Sequence, residues 1–142
     1  NNQIAINRSN DSEASGSVYF SGKGLFRGAL LDSLKQISYS TKALTPVLTW
    51  YDATPYSAVT SLRLKGKTLH WSHPVATRFS VYAYPKGMKL EQALADPAYL
   101  LGVSYGKTFD VSAVSDRKQT TFAVCPMDGF GNEFQATLYN AQ

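Results

Sequence analysis

From residue 46 onward the chain is a series of short alternating runs cut by turn residues, and this constrains its fold more than any other feature. The runs lie at 46–51, 61–64, 68–71, 77–84, 107–111, 120–125 and 133–139. Alternate side chains of a strand share a face, so Leu62 and Leu64, Leu69 and Trp71, Phe79 and Val81, Phe109 and Val111, Phe122 and Val124, and Phe134, Ala136 and Leu138 each mark one buried side. Seven such runs in about 97 residues is the density of an antiparallel β-sandwich. The punctuation agrees. Lys65-Gly66-Lys67 reads as a tight turn, Ser72-His73-Pro74 closes a strand because proline cannot extend a ladder, and Asp128-Gly129-Phe130-Gly131-Asn132 reads as a glycine-rich hairpin loop. One helical turn is expected at 90–94, before Asp96-Pro97.

The preceding residues follow another pattern. After a polar stretch at 9–15, the apolar run 16–21 is bounded by Gly16 and Gly22 and reads as a buried strand. The segment 24–38 then places Leu30, Leu31, Leu34 and Ile37 on one side of a helix, with Arg27, Asp32 and Lys35 on the other. A lone strand-helix unit cannot close a parallel sheet, which needs a second strand and a crossover. The expected organisation is therefore a strand-helix segment over 1–44 followed by a sandwich over 45–142. Leaving four large apolar side chains exposed costs roughly 1.5–3 kcal/mol each. The Leu30, Leu31, Leu34 and Ile37 face is therefore expected to dock on the sandwich or to drive self-association.

Composition narrows the function classes. Aromatic residues are 13% and charged residues 17%, the latter below the usual ~25%, which excludes a disordered polyelectrolyte. The net charge is +4 with no like-charge run longer than two residues, so nucleic acid is not an expected partner. Cys125 is the sole cysteine, which excludes an internal disulfide framework and a cysteine-based zinc site. No apolar run approaches the ~20 residues of a membrane span, so membrane insertion is not expected. Residues 1–8 lack the order of a signal peptide, so any export signal would have to lie upstream.

Thr68-Leu69-His70-Trp71, Arg78-Phe79-Ser80-Val81-Tyr82 and the run from Thr121 through Asp128-Gly129-Phe130-Gly131-Asn132-Glu133 resemble the fibronectin type III series. The resemblance implies a mainly β, seven-stranded antiparallel sandwich, with Phe122 standing where that family usually has tyrosine and so lacking the hydroxyl of a tyrosine corner. The front section, from Gln3-Ile4-Ala5-Ile6 through the helix to Lys42-Ala43-Leu44-Thr45-Pro46 and Trp50, resembles the end of the barrel in glycosyl-hydrolase-10-like secreted bacterial proteins. It implies that 3–8 ends a barrel helix, that 16–21 is the last barrel strand, and that the missing barrel is a partner within the same protein. It also implies a secreted, periplasmic or cell-surface location.

Candidate chemistry is sparse. Glycoside hydrolysis needs two carboxylates roughly 5–10 Å apart, yet the acids of the front section are Asp11, Glu13 and Asp32, in a loop and on a helix. His70 and His73 point to opposite faces if residues 70–73 are extended, which disfavours a metal site. Asp128 to Glu133 lacks the repeated ligands of a calcium loop. Cys125 reads as a structural thiol, and the sequons at Asn7 and Asn10 carry little weight in a chain that resembles bacterial proteins. No catalytic, cofactor-binding or metal residue is assigned, and no activity is expected of this chain alone. The informative residues are aromatic. Trp50, Tyr51 and Tyr56 cluster, and Tyr82 and Tyr84 are expected to project away from the Phe79 and Val81 face. Flat rings suit both sugar faces and protein contacts. The expected function is a non-catalytic accessory module of a glycoside-hydrolase-like protein. The alternatives are a carbohydrate-binding module using these aromatics and a protein-interaction sandwich.

Overall fold

The computed structural model describes residues 22–26, 29–51, 53 and 55–140, and the chain divides into two compact units, Asn1–Thr41 and Lys42–Gln142. The second unit is mainly β. Its strands are β1 (Thr60–Lys65), β2 (Thr68–Ser72), β3 (Arg78–Pro85), β4 (Leu100–Ser104), β5 (Thr108–Asp110), β6 (Thr120–Met127) and β7 (Thr137–Asn140). They form two antiparallel sheets, one ordered β1-β2-β5 and the other β4-β3-β6-β7.

The alternation places the core except in the last run, where Leu138 is exposed and Tyr139 packs inward in place of the expected Phe134, Ala136 and Leu138 face. Leu69, Trp71, Phe79, Val81, Val111, Phe122 and Val124 are buried together, with Leu62, Leu64, Phe109 and Tyr139 packed against them. These side chains come from both sheets, so this layer joins them. Trp71 meets Phe79 edge-on at 5.3 Å between ring centres, a favoured aromatic geometry. The opposite face of the four-stranded sheet is buried too. Tyr82, Tyr84, Ala123 and Cys125 form a second apolar layer with Ala93 of the helix at Leu90–Ala95, and Leu44, Met88 and Ala136 pack onto it. The paired runs of β3 and β6 are thus buried on both faces, as their nearly continuous apolar character requires.

Four differences from the sequence expectation have local causes. Residues 46–51 are not a strand. Pro46 has no N–H, Leu48 donates one hydrogen bond to the Phe130 carbonyl at 2.9 Å, and Tyr51 N–H turns back to the Leu48 carbonyl at 3.2 Å. The seventh strand is instead β4, hidden in the sequence by Gly102. There the ladder with β3 slips between Val81 and Tyr82, and Gly102 takes φ +151°, the backbone freedom that a bulge exploits. β6 runs through Pro126 to Met127. The Pro126 carbonyl accepts from Phe134 N–H at 2.9 Å, so its missing N–H faces the 133–134 segment, where the β7 ladder has already ended at Val124. β7 accordingly begins at Thr137, and Glu133 contributes one isolated bridge to Met127.

In the first unit the described helices are α1 (Gly22–Leu25) and α2 (Leu30–Ser33), the latter continuing into a π-helical turn at Leu34–Ser38. The continuous helix expected at 24–38 is therefore two short pieces. Tyr39 N–H bonds the Leu34 carbonyl at 2.8 Å, five residues back, and this widened turn rotates Ile37 away from the Leu34 face. Leu34 is buried while Leu30 and Ile37 are 45% and 64% exposed. The anticipated apolar face is thus covered only in part. The expected strand at 16–21, the segment 3–8, Asp11, Glu13 and Arg27 lie outside the described residues.

The Gly102 backbone makes a test of the β3–β4 register. A Cβ at Gly102 would meet the Phe109 ring and Lys42 Nζ at 3.5 Å, whereas a Cβ at Gly106 would meet nothing within 4 Å. Gly102→Ala is expected to lower unfolding free energy by about 1–2 kcal/mol in urea titrations, with Gly106→Ala near neutral; equal effects would remove the backbone argument.

Candidate functional site

Burial of both faces of β3 forces a decision at Ser80 and Tyr82, whose polar atoms enter an apolar layer. Both resolve it on one acceptor. Ser80 Oγ and Tyr82 Oη, the latter at 2.9 Å, donate to Glu133 Oε1 at the end of the β6–β7 loop. Cys125 sits opposite Ser80 on β6. Burial first, and the Glu133 carboxylate second, push its thiol up to about 12, only partly opposed by the Ser80 hydroxyl. Burial and the same carboxylate also raise the Tyr82 phenol. A thiol that holds its proton is a poor nucleophile, and the Ser80 and Tyr82 hydroxyls tie Glu133, and with it the loop, to β3.

The loop is built for that anchorage. Asp128 Oδ1 accepts from Phe130 N–H at 2.8 Å and Asn132 N–H at 2.9 Å, and Oδ2 accepts from Asn132 Nδ2 at 2.7 Å. Its carboxylate oxygens are thus spent on the loop itself, as in a tight Asx-type turn. Burial works to raise the Asp128 carboxyl, but these hydrogen bonds outweigh it and hold the group below its ordinary 3.8. Gly131 takes φ +90°, and a Cβ there would lie 3.2 Å from the Thr45 carbonyl. Glycine therefore lets the segment from Lys42 to Leu48 cross the loop closely.

That crossing segment is fastened along its length. Lys42 Nζ donates to the Leu101 carbonyl, Leu44 packs on the second apolar layer, and Leu48 bonds Phe130. It delivers Trp50 and Tyr51 to the loop. Tyr51 stacks on Phe130 with ring centres 4.4 Å apart and planes 10° from parallel, and Trp50 lies 6.3 Å from Tyr51. Trp50 is 74% exposed. Beside Phe130 is a small pocket of about 90 Å³ lined by Pro46, Leu48, Arg78, Gly129 and Gly131. Arg78 spans it. Its Nη1 donates weakly to the Asp128 and Gly129 carbonyls at 3.4 and 3.5 Å, its buried Nε has no partner, and its guanidinium lies 5.7 Å from the exposed Tyr105 ring.

The five aromatics singled out in the sequence therefore separate. Trp50 and Tyr51 form an exposed surface. Tyr56 is half-buried, tilted against His73 and Phe134 at 5.7 and 5.3 Å. Tyr82 and Tyr84 do point away from Phe79 and Val81, but they are buried beneath the second layer and offer no surface in this chain. Phe130, Arg78 and Glu133 complete the arrangement and were not singled out. A large ring inside a glycine-rich turn was the available signal, since the turn itself has no use for it.

The histidines do not converge. His73 is buried, with Nδ1 accepting from Ala76 and Val75 N–H at 2.8 and 3.2 Å and Nε2 facing the Ser57 carbonyl at 2.9 Å. Two donors on Nδ1 place the proton on Nε2, so both nitrogens are committed to backbone. Among the described residues no group of three or more His, Cys, Asp or Glu is placed to hold a metal ion, and no helix is long and apolar enough to cross a membrane. A second concavity, a groove of about 700 Å³, lies by Leu64, Asp116, Arg117, Lys118, Tyr139 and Asn140. No protein-family model, curated protein or solved structure matches the chain.

Two outcomes test this reading. Asp128 has a folded value below its unfolded one, so its stabilisation is present above 3.8 and is lost as pH falls through the folded value. Asp128→Asn is expected to unfold at lower urea than the parent at pH 7, with the gap narrowing as pH falls below 3.8. Cys125 is expected to stay unlabelled by a disulfide-exchange reagent at pH 8 in the folded chain and to react fully in denaturant; rapid labelling of the folded chain would contradict the buried thiol.

Proposed function

We propose that this chain is a non-catalytic accessory module of a secreted glycoside-hydrolase-like protein, built on a fibronectin type III-like sandwich, and that Trp50 and Tyr51 are its carbohydrate contact. The strand order β1-β2-β5 and β4-β3-β6-β7 supports the sandwich family, as does the gathering of Trp71, Phe79, Val81, Phe122 and Val124 in one core. Phe122 fills its core position without a hydroxyl.

The anchored segment supports the accessory role. A flexible tether would leave the residues after Thr41 free, whereas here Lys42, Leu44 and Leu48 are each held by the sandwich. A segment bound in this way is part of the module's surface rather than a free linker. The observation that carries the carbohydrate reading is the exposed Trp50 beside a stacked Tyr51–Phe130 pair. Ordered rings present apolar faces to sugar C–H surfaces with little entropy left to lose, and the neighbouring guanidinium supplies donors for oxygen atoms.

The test is retention on native gels cast with soluble xylan, β-glucan or polygalacturonate, alongside thermal melting. Trp50→Ala is expected to abolish retention while changing the unfolding free energy by no more than a surface substitution does, about 0.5 kcal/mol. Unchanged retention of Trp50→Ala would instead make the pair a packing contact. Hydrolysis of any of these polysaccharides by the chain would overturn the non-catalytic assignment.

A further inference from the structure

The pocket beside the aromatic pair has a chemistry of its own. Arg78 is half-buried at the start of β3, and its side chain is poorly satisfied for such a position: two long bonds from Nη1 and no acceptor for Nε. Buried polar groups are ordinarily paired, and an arginine fork is paired best by a planar two-oxygen acceptor. Among the described residues no carboxylate side chain fills that role. Asp128, the nearest acid along the loop, commits both its oxygens to Phe130 and Asn132. The pocket of about 90 Å³ compares with about 30 Å³ for one water in the liquid. It has room for a carboxylate and the carbon that bears it. The ring would rest outside, where Phe130, Tyr51 and Trp50 follow one another at 4.4 and 6.3 Å.

We propose that this pocket receives the carboxylate of a uronic acid, with Arg78 as its anchor and the Trp50–Tyr51–Phe130 row as the rest for the sugar chain. The inference rests on the carbohydrate reading above and narrows it to acidic polysaccharides. The net charge of +4 favours encounter with such a polymer but does not locate the contact, so the test must separate the pocket from the general charge.

Affinity gels containing polygalacturonate, its fully methyl-esterified form, alginate or neutral β-glucan make that separation. The parent chain is expected to be retained by polygalacturonate or alginate and released when the carboxyls are esterified. Arg78→Met keeps the apolar stem, removes an unpaired buried nitrogen, and is expected to fold normally while weakening retention roughly tenfold or more. Arg78→Lys is expected to recover little, because the planar fork is lost while the charge remains. Lys118→Met removes the same charge from the other end of β6 and is expected to leave retention almost unchanged. Equal retention by the esterified and free polymers, or retention by β-glucan alone, overturns the uronate anchor and leaves the carbohydrate reading intact. Equal weakening by Arg78→Met and Lys118→Met overturns it in favour of diffuse attraction. No retention by any of the four polymers overturns both.

Discussion

Everything distinctive in the second unit follows from the pairing of β3 with β6 over the full span from Arg78–Met127 to Pro85–Thr120. These two strands lie at the centre of a sheet covered on both faces, so each position must satisfy one of two interiors. Phe79, Val81, Phe122 and Val124 fill the layer between the sheets, and Tyr82, Tyr84, Ala123 and Cys125 fill the layer beyond it. A surface-facing sheet would have left the second set wet. Because it is dry, any hydroxyl on that face must carry its acceptor with it.

That requirement connects the core to the surface. Glu133 accepts from Ser80 and Tyr82, and an unpaired buried hydroxyl would cost about 1–3 kcal/mol, so the loop that carries Glu133 is held down by the sheet. Asp128 then closes the same loop on itself. With both ends fixed, Phe130 and Gly131 occupy set positions: one offers a ring for Tyr51, the other a gap for the Thr45 and Pro46 backbone. The exposed aromatic surface is the outermost member of a chain of constraints that starts in the core. The same neighbours silence Cys125, whose thiol is buried against a carboxylate and held as the neutral form.

Six of the seven strands left a trace in the sequence because they alternate or are doubly buried, and both patterns are visible in residue type alone. β4 left none, since Gly102 interrupts Leu100 to Ser104 and its role lies in a backbone conformation that only the paired β3 bulge demands. The run at 46–51 misled for the converse reason. Its residues meet the Phe130 and Gly131 turn individually, and among the described residues no partner strand lies beside it. Tyr82 and Tyr84 were assigned the correct face and the wrong surroundings, because periodicity reports which residues point together and not what lies over them. Of the candidate site, Trp50 and Tyr51 were legible as a cluster. Arg78 was not, because its importance is a deficit of acceptors, which is a property of its neighbours.

The aromatic surface itself can be weighed against the needs of folding. Tyr51 stacked on Phe130 already covers the loop, and stacking of this kind is worth about 0.5–1.5 kcal/mol beyond the area it buries. Trp50 adds little to that, since 74% of it stays in water. A large indole left exposed at the end of an anchored segment, and a guanidinium whose hydrogen-bonding capacity the fold leaves partly unused, are not accounted for by the stability of this chain. Packing against a preceding domain would explain the indole but not the unmatched Arg78 Nε beside its small pocket. A ligand that brings both an apolar face and a planar pair of oxygens answers both at once, and a carboxylated sugar has that combination.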